Sequence, residues 1–396
     1  MIPATLFEAR NALAEFVPRA AHFYAKERNF DRGPQNRNNV SLLSAAIQRR
    51  ILTEKEVIQE VLKKHSFEAS EKFLQEVLWR SYWKSWLELR PSVWTVYQKL
   101  SGNLVPSEIH SKALAAQTGI RCFDEWRKEL RETGYLHNHA RMWFASIWIF
   151  TLNLPWFLGA QLFEKELLDF DPASNTLSWR WVAGLHTPGK NYLARAENIK
   201  TFTEGRFNPE GQLQEKIEPP NFKVPPLELN PEGALPASPP KGNWGLLVHS
   251  EDLSLEQTEF SDWPFKQIAV FRDSRPKSPQ VQAFEDRAFQ DAEKRLREKF
   301  PCPMDSLSKE EKLCEWVERN QLDGICLIKP WQGPLLGLLN LPLPLQTFRR
   351  AYDIPFMGKA RSGFFSFKEE MKERISHYAV EKESSLEKLC LMSLKK

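Results

Sequence analysis

The chain lacks several features that define other protein classes. Its five cysteines are odd in number, scattered and never in a C-x-x-C spacing, which argues against a disulfide framework and a zinc knuckle. No run approaches the roughly 18–20 apolar residues of a membrane helix, and the N-terminal MIPATLFEARNALAEF carries acidic residues where a signal peptide would be basic and then apolar. We therefore expect a soluble protein of the reducing cytoplasm, without a membrane and without a metal site.

Neither sign of charge dominates the chain. It has 55 Lys and Arg against 51 Asp and Glu, a formal net charge of +4, which permits contact with a phosphate backbone but does not require it. Aromatic residues are more informative, because ten of the 14 tryptophans lie before residue 182. Their simplest interpretation is a large aromatic core.

The first part of the chain has a helical pattern. Residues 1–205 contain long apolar-periodic segments, such as 71–89 and 123–152. Thr53 followed by Glu56 has the spacing of a capping box, which predicts that one helix ends near Arg50 and another begins at once. Residues 206–242 hold nine of the 27 prolines, including three Pro-Pro pairs, and we interpret them as a linker.

The pattern changes beyond this linker, over residues 243–396. Three short apolar runs, WGLLVHS, KQIAVFRDS and GICLIKP, alternate with the helical segments VQAFEDRAFQDAEKRLREKF and SKEEKLCEWVERN, and another helix is predicted near 343–351. Strands separated by helices predict a small parallel α/β domain with a helical C-terminus. The predicted fold class is α + α/β: an all-helical domain followed by a smaller parallel-sheet domain.

One polar constellation lies in the segment ASEKFLQEVLWRSYWKSW. On a helix Glu76, Trp79 and Arg80 share one face, so a carboxylate, an indole and a guanidinium stand side by side. An ordinary surface ion pair beside a core tryptophan explains this spacing equally well.

A second constellation lies in TGYLHNHARMWF, where Asn138, Arg141 and Met142 have the same spacing. An amide and a guanidinium in an apolar helix need partners if they are buried, because an unpaired group costs about 1–3 kcal/mol or more. A ligand could be that partner.

A third constellation lies in LLDFDPASNTLSWRWVAG. Asp169 and Asp171 point the same way if the chain is extended, and Pro172 can open a short helix that places Asn175 one turn beyond Asp171 and Trp179 one turn further. Arg141 could pair with one of the two carboxylates. A simple turn is the alternative interpretation of two aspartates beside a proline.

Two serines in NVSLLSAAIQRR complete the candidate set. Ser41 has the position of an N-cap and Ser44 falls in the first turn of the predicted helix. Hydroxyls and free N–H groups at a helix start suit a phosphate, although most such serines only cap.

In this order the segments resemble the flavin-binding helical domain of the photolyase/cryptochrome family. The resemblance runs from about residue 16 to 198, and its most specific pieces are E-V-L-W-R at 76–80, T-G-x-x-H-N-x-x-R-M at 133–142 and L-D-x-D-x-x-x-N-x-x-x-W-x-W at 168–181. It implies a U-shaped FAD among the helices. The residues that would contact it, with Arg141 paired to Asp169 and Asn175 facing flavin N5, are Ser41, Ser44, Arg80, Asn138, Arg141, Asp169, Asp171 and Asn175.

The resemblance also implies light-driven repair of cyclobutane pyrimidine dimers in DNA, a carbon–carbon lyase activity. Glu76 would hydrogen-bond a flipped dimer, Trp79 and Trp181 would form apolar walls, and Met142 and Asn138 would lie at the floor. These five residues could equally be retained for packing or flavin support.

A chain of tryptophans carries electrons to the flavin in this family, and Trp179 and Trp156 match its first two members. The usual third position falls near Asn103, which is not aromatic. The possible substitutes in the sequence are Trp94, Tyr97, Trp126 and Trp148.

Several features depart from the family pattern. The α/β domain normally precedes the helical one, whereas here it follows, and LLVHSEDLSLE only faintly resembles its first strand, so we predict no antenna chromophore. Phe73 stands where repair enzymes often have Trp, and His139 replaces a basic residue. Lys190 and Arg195 are candidate phosphate contacts or ordinary surface charges.

Three functional hypotheses remain open at this point. The first is a photolyase-like repair enzyme with DNA as partner. The second is a cryptochrome-like blue-light or redox photoreceptor without repair activity, with a protein partner bound through the C-terminal domain. The third is a light-independent flavin-containing interaction module.

Overall fold

The computed structural model describes residues 2–100, 107–228, 238–258, 260–309, 311–376 and 378. The described residues before 205 form helices joined by turns and loops and contain no strand, in agreement with the predicted fold class. Its α-helices are α1 Leu6–Phe16, α2 His22–Glu27, α3 Ser44–Gln48, α4 Glu54–Leu62, α5 Phe67–Glu88, α6 Ser92–Leu100, α7 Glu108–Ala115, α8 Arg121–Thr133, α9 Asn138–Ser146, α10 Trp156–Glu166, α11 Pro172–Val182 and α12 Ala196–Phe202. A π-helix, Ile147–Thr151, continues α9.

Local signals in the sequence set the helix ends. Ser66 accepts a hydrogen bond from the backbone N–H of Ala69 and opens α5, and Thr53 accepts one from Glu56 and opens α4. Gly134 adopts φ +66°, which ends α8. The segment 123–152, predicted as one long helical stretch, is therefore broken in two.

The second part of the chain is a five-stranded parallel sheet with helices between the strands, as predicted. Its elements are β1 Trp244–His249, β2 Gln267–Phe271, α13 Pro279–Lys299, β3 Met304–Leu307, α14 Glu311–Arg319, β4 Gly324–Ile328 and β5 Leu345–Phe348, followed by a helix over 364–376. The strand order is β3-β2-β1-β4-β5, and all four pairings are parallel.

The helix predicted near 343–351 is wrong, because this segment contains β5. Prolines at 342 and 344 remove two backbone donors that a first helical turn could spare but a helix interior could not. Pairing with β4 uses the remaining groups: the Ile325 N–H donates to the Pro344 carbonyl at 3.0 Å, and the Lys329 N–H to the Phe348 carbonyl at 2.8 Å.

Both faces of the sheet are covered. Leu246 and Val248 of β1 belong to a hydrophobic core that continues into the helical part, whereas Leu247 belongs to a second core with Leu313 and Trp316 of α14. This alternation is typical of a parallel sheet between two layers. The sheet is thus packed directly against the helices that carry the candidate site.

The linker predicted at 206–242 contains neither helix nor strand in its described residues, 206–228 and 238–242. It lies against the helical part, where Arg90 Nε donates to the Pro225 carbonyl at 3.1 Å and the Glu228 N–H donates to the Leu89 carbonyl at 2.9 Å. The domain boundaries themselves stay a prediction. Among the described residues, no helix combines the length and the apolar character needed to cross a bilayer.

A buried ion cluster joins the two parts of the chain. Arg50, only 2% exposed, donates to Asp353 at 2.8 Å and lies 3.2 Å from Glu54 and 3.4 Å from Asp252. Arg350 binds Asp252 through two hydrogen bonds of 2.7 and 2.6 Å. Since each charge faces at least one opposite charge, the desolvation cost of the cluster is offset only while it stays complete.

Replacing Arg50 by Met is expected to lower the free energy of unfolding by about 3–5 kcal/mol, because three buried carboxylates would lose their shared cation. Urea denaturation followed by tryptophan fluorescence measures this change. The matched control is Arg10→Met, which removes a guanidinium that is 52% exposed and paired with a carboxylate at 2.7 Å, at an expected cost of about 0–1 kcal/mol. Equal losses in the two variants would contradict the structural role of Arg50.

Candidate functional site

The three sequence motifs come from neighbouring elements in the middle of the helical part. Helix α5 carries Glu76, Trp79 and Arg80; α9 carries Asn138, Arg141 and Met142; the residues before α11 and the helix itself carry Asp169, Asp171, Asn175, Trp179 and Trp181. Two ion pairs, Arg141–Asp169 and Arg80–Asp171, connect the motifs to one another.

Arg141 and Asp169 are paired as the sequence suggested. Arg141 Nη2 donates to Asp169 Oδ2 at 2.8 Å, while its Nε donates to the Leu136 carbonyl at 2.9 Å and its guanidinium lies 5.1 Å from the ring centroid of Tyr135. The other oxygen, Asp169 Oδ1, is buried and has no hydrogen-bond partner among the described residues. Such an atom can accept a hydrogen bond from a bound group without breaking any contact of the protein.

Asp171 and Arg80 already have protein partners. Asp171 Oδ1 accepts the N–H groups of Ala173 and Ser174 and so caps α11, and its Oδ2 binds Arg80 and, at 2.9 Å, Lys84. Burial alone would raise the pKa of Asp171, but Lys84 and Arg80 hold it well below its usual range. This carboxylate is therefore a fixed negative charge.

The other contacts of Arg80 are also within the protein: Nε donates to Glu54 at 2.9 Å and Nη2 to the Gln48 carbonyl at 3.1 Å. Asn175 is similarly engaged, because its Nδ2 donates to the Ala160 carbonyl of α10 at 2.9 Å. Arg80 and Asp171 form a rigid frame around the region rather than free ligand groups.

Several side chains of the motifs stay accessible beside this frame. The side chain of Glu76 is 35% accessible and that of Arg141 is 23% accessible. Asn138 is exposed and Met142 is half-buried. Together with the unpaired Asp169 Oδ1, these accessible polar groups are suited to contact a bound group of the kind the sequence predicted.

Glu76 is paired with Arg28 rather than with Arg80, its neighbour on α5. Deep burial raises the pKa of Glu76, although the charge of Arg28 opposes this shift. The ion pair considered on one helix face is thus replaced by three pairs that reach other elements, namely Glu76–Arg28, Arg80–Glu54 and Arg80–Asp171.

The predicted phosphate serines are only partly placed as expected. Ser44 is the first residue of α3 and is exposed, but the residue in the N-cap position is Leu43, so the capping assignment of Ser41 is wrong. Ser41 Oγ instead accepts the Leu43 N–H at 3.4 Å, because Leu42 takes a left-handed conformation with φ +55°. A sequence pattern could not anticipate that bend.

The two apolar walls predicted for a DNA lesion are each stacked by another ring. Trp79 lies against Phe364 of the C-terminal helix, with ring centroids 3.6 Å apart and planes within 8°. Trp181 stacks on Tyr192 at 5.5 Å. Both indoles are only partly buried.

The predicted electron-transfer residues lie on adjacent helices. The Trp179 ring of α11 packs against Gly159 of α10 and fills the space that a Cβ atom there would take. Gly159 lies one turn after Trp156 on the same helix. Trp156 stacks on Tyr97 at 5.7 Å, and Tyr97 contacts Trp94 at 5.2 Å.

The remaining candidates for the third position lie elsewhere. Trp148 contacts Trp179 rather than Trp156, at 6.3 Å, and Trp126 stacks on Trp143. Asn103 lies outside the described residues. Lys190 and Arg195 are both exposed.

Sequence reasoning missed several residues of the site. Lys84 lies one turn beyond Arg80, and this i+4 spacing was a usable signal for a second cation near the aspartates. Phe364 and Arg28 had no such signal, because they meet α5 only through the tertiary fold.

Comparison with known proteins agrees with the motifs. Residues 73–222 match the family model described as the FAD binding domain of DNA photolyase. A deoxyribodipyrimidine photo-lyase of Buchnera aphidicola is 27% identical over 178 residues, which are 42% of this chain and 36% of that protein. A cryptochrome DASH of Idiomarina loihiensis is 30% identical over 146 residues, 36% of this chain and 32% of that protein.

The chain thus spans about a third of the length of these two relatives. Among solved structures, a class III photolyase from Agrobacterium tumefaciens is 23% identical and superposes with a TM-score of 0.43, covering 50% of this chain and 43% of that one.

The stability of the helical part is expected to fall as the pH drops from 7 to 5, by about 2 kcal/mol for His137 alone. Burial lowers the pKa of His137 to about 4, while an unfolded histidine titrates near 6.5, so the unfolded chain binds the extra proton first. His137 Nδ1 accepts the His139 N–H, which protonation would break. Urea denaturation at each pH measures the slope.

The matched variant is His137→Asn, which keeps a capping acceptor but does not titrate. It should reduce the slope and not abolish it, because burial also lowers the pKa of His186 to about 4. An unchanged slope in the variant would show that His137 is already protonated or exposed.

Proposed function

We propose that this chain, which belongs to the photolyase/cryptochrome family through its FAD-binding helical part, is a light-driven electron-transfer flavoprotein that splits cyclobutane pyrimidine dimers in DNA. The observation that supports this proposal most is Glu76, whose carboxyl group is accessible and lies among the motifs that resemble the flavin-binding domain. FAD, when bound and excited by light, supplies the electron. The residues of this chain would bind and orient the cofactor and the substrate.

Asp169, Arg141 and Asn138 would hold the cofactor. The unpaired Asp169 Oδ1 would accept a hydrogen bond from it, and the Arg141 guanidinium would place a positive charge beside the ring. Ser44, exposed at the start of α3, would contact a phosphate of the cofactor. Arg80 and Asp171 would act indirectly, by fixing α11 against α5.

Glu76 would recognise the substrate. Its carboxyl group, oriented by the ion pair with Arg28, can form a hydrogen bond with the polar edge of a pyrimidine. Met142 and Asn138 border the same side of α9 and are accessible. The flipping of a base out of DNA costs a few kcal/mol, least for a lesion that already distorts its stack.

Replacing Trp179 by Phe is expected to slow photoreduction of the bound flavin by about tenfold or more, because the indole nearest Asn175 on α11 would no longer donate an electron. Absorption spectra during blue illumination with an external reductant measure the rate. Phe preserves the aromatic contact with Gly159, so flavin content should not change.

The matched control is Trp148→Phe, which removes another buried indole 6.3 Å from Trp179. If both variants reduce their flavin at the wild-type rate, electrons reach it by a route outside α11. Purified protein without flavin absorption bands would remove the basis of the proposal altogether.

A photoreceptor without repair activity is the second candidate, and one observation favours it. Residues 361–376 lie along α5: Tyr82 Oη donates to the Ser362 carbonyl at 2.9 Å, Lys368 binds Glu71 at 2.7 Å, and Phe364 covers Trp79. A lesion cannot stack on the face of Trp79 that Phe364 already occupies. Movement of this segment on flavin reduction would instead signal to a partner.

Repair and signalling can be separated with the flavin-reduced chain and dimer-containing DNA under light. For a repair enzyme we expect light-dependent loss of dimers, about tenfold slower in Glu76→Ala because one hydrogen bond to the lesion is missing. Phe364→Ala, which uncovers Trp79, should accelerate it. Dimer content measured by lesion-specific antibody gives the rates, and flavin absorbance confirms equal cofactor content.

No loss of dimers by a flavin-loaded and photoreducible wild-type chain would contradict the repair function. A difference between dark and light in protease cleavage within residues 206–242 would then support the photoreceptor. Identical cleavage patterns would count against that candidate as well.

A further inference from the structure

The aromatic path predicted from the sequence, Trp179 and then Trp156, ends beside a tyrosine that has its own proton acceptor. Trp156, on α10, stacks on Tyr97 of α6 with centroids 5.7 Å apart and planes 27° apart. Tyr97 Oη donates a hydrogen bond to Glu164 Oε2 at 3.1 Å. Glu164 lies two turns beyond Trp156 on the same helix, so one element positions both the indole that would receive the electron and the base.

The position of Glu164 is fixed from the sheet part of the chain. Its other oxygen, Oε1, accepts a hydrogen bond from Arg275 Nη1 at 3.0 Å, and Arg275 Nε is held by Asp273 at 2.9 Å. These residues follow β2, at the carboxyl edge of the sheet. The carboxylate is therefore oriented with one oxygen toward Tyr97 and the other toward the sheet.

A polar route to solvent starts at this carboxylate. Glu164 and Arg275 both line a cavity of about 30 Å³, a volume sufficient for a water molecule. Arg275 also lines an open cavity of about 460 Å³ at the sheet edge, whose other polar lining residues are Asp273, Ser274, Ser308 and Lys309. Because the Glu164 side chain is itself 25% accessible, a proton on this carboxylate can pass to water without crossing the hydrophobic core.

Two other rings contact the path, Trp148 beside Trp179 and Trp94 beside Tyr97, and the described hydrogen bonds give neither of them a carboxylate as proton acceptor. Trp148, beside Trp179, is fully buried and its Nε1 donates to the Pro155 carbonyl, which cannot take a proton. Trp94, beyond Tyr97, is buried. A phenol with a carboxylate at hydrogen-bond distance is easier to oxidise than such an indole, because its proton leaves as the electron leaves.

We propose that Tyr97 is the terminal electron donor of the aromatic path and that Glu164 accepts its proton, in place of the missing third tryptophan. This inference rests on the proposed light-driven electron transfer. In the step, one electron passes from Tyr97 to the Trp156 radical cation and the Tyr97 O–H proton passes to Glu164. The products are neutral Trp156, a neutral tyrosyl radical and a protonated Glu164, and the ultimate oxidant is a light-excited flavin.

The resting state is consistent with this step. Burial, and after it the Glu164 carboxylate, raise the pKa of Tyr97, so the phenol keeps its proton until the electron is withdrawn. Arg275, which faces Glu164, partly neutralises this carboxylate and so limits the rise in the pKa of Tyr97.

The test uses the FAD-loaded full chain, frozen after blue illumination and examined by electron paramagnetic resonance. We expect a tyrosyl radical in the wild type and its loss in Tyr97→Phe, with the yield of flavin photoreduction lowered about fivefold or more. Glu164→Gln keeps a hydrogen-bond acceptor but no base, so it should lower the radical yield and abolish the solvent deuterium effect on radical formation.

Three control variants separate this role from a structural one. Glu166→Gln removes another carboxylate of α10, which is paired with Arg127 and not with Tyr97. Tyr82→Phe removes the buried hydroxyl of a different tyrosine. Trp94→Phe removes the indole that contacts Tyr97. All three should keep the radical and its isotope effect. A radical lost in Trp94→Phe but kept in Tyr97→Phe would overturn the inference, as would wild-type kinetics in Glu164→Gln.

A second measurement does not depend on the flavin. Azide radicals generated by pulse radiolysis oxidise tryptophans. Electron transfer from Tyr97 to a tryptophan radical should then appear as tyrosyl radical formation that is reduced in Tyr97→Phe and not in Tyr82→Phe. If the flavin of the wild type does not photoreduce, the proposed function fails, and this measurement alone decides the inference: equal tyrosyl formation in both variants would overturn it.

Discussion

The burial of Arg50 constrains the rest of the structure. This guanidinium is almost inaccessible and sits between carboxylates from both parts of the chain, Glu54 on α4 and Asp252 and Asp353 beside the sheet. A lone buried charge of this kind would cost several kcal/mol, so the helical part can keep Arg50 inside only when the sheet part supplies its two aspartates. The two parts are thus joined by charge neutralisation as well as by the hydrophobic core that they share.

The same charge network reaches the site. Glu54 bonds both Arg50 and Arg80, and Arg80 in turn binds Asp171, the cap of α11. Since α11 also carries Asn175 and Trp179, the position of these two candidate residues depends on a cluster whose other end lies beside the sheet. The motif residues divide into two groups on this basis: Arg80 and Asp171 maintain the frame, while Asp169, Arg141 and Glu76 keep atoms or surface available to a ligand.

Local patterns predicted most of the fold, and non-local contacts explain the failures. The helical region and the parallel strands follow from spacing, because apolar periodicity leaves few geometric choices for a segment. The Arg141–Asp169 pair was implied by the resemblance to the family, since spacing alone left open which aspartate Arg141 would bind. The strand at Leu345–Phe348 could not be recognised, since its pairing partner Gly324–Ile328 decides it. Ser41 failed as a cap because Leu42 turns left-handed, and no pattern could reveal that Phe364 would cover Trp79 across nearly three hundred residues of sequence.

The sheet part contacts the helical site on two sides, although the family model ends at residue 222, before the sheet begins. On one side its C-terminal helix places Phe364 on the wall where a flipped base would stack. On the other side its β2 edge places Arg275 against Glu164, the carboxylate that receives the hydrogen bond of Tyr97. A change in the contact between the two parts would therefore alter substrate access and the proton acceptor of the aromatic path together. Under the proposed function, the sheet part would thus influence both the entry of a lesion beside Trp79 and the supply of electrons through Tyr97.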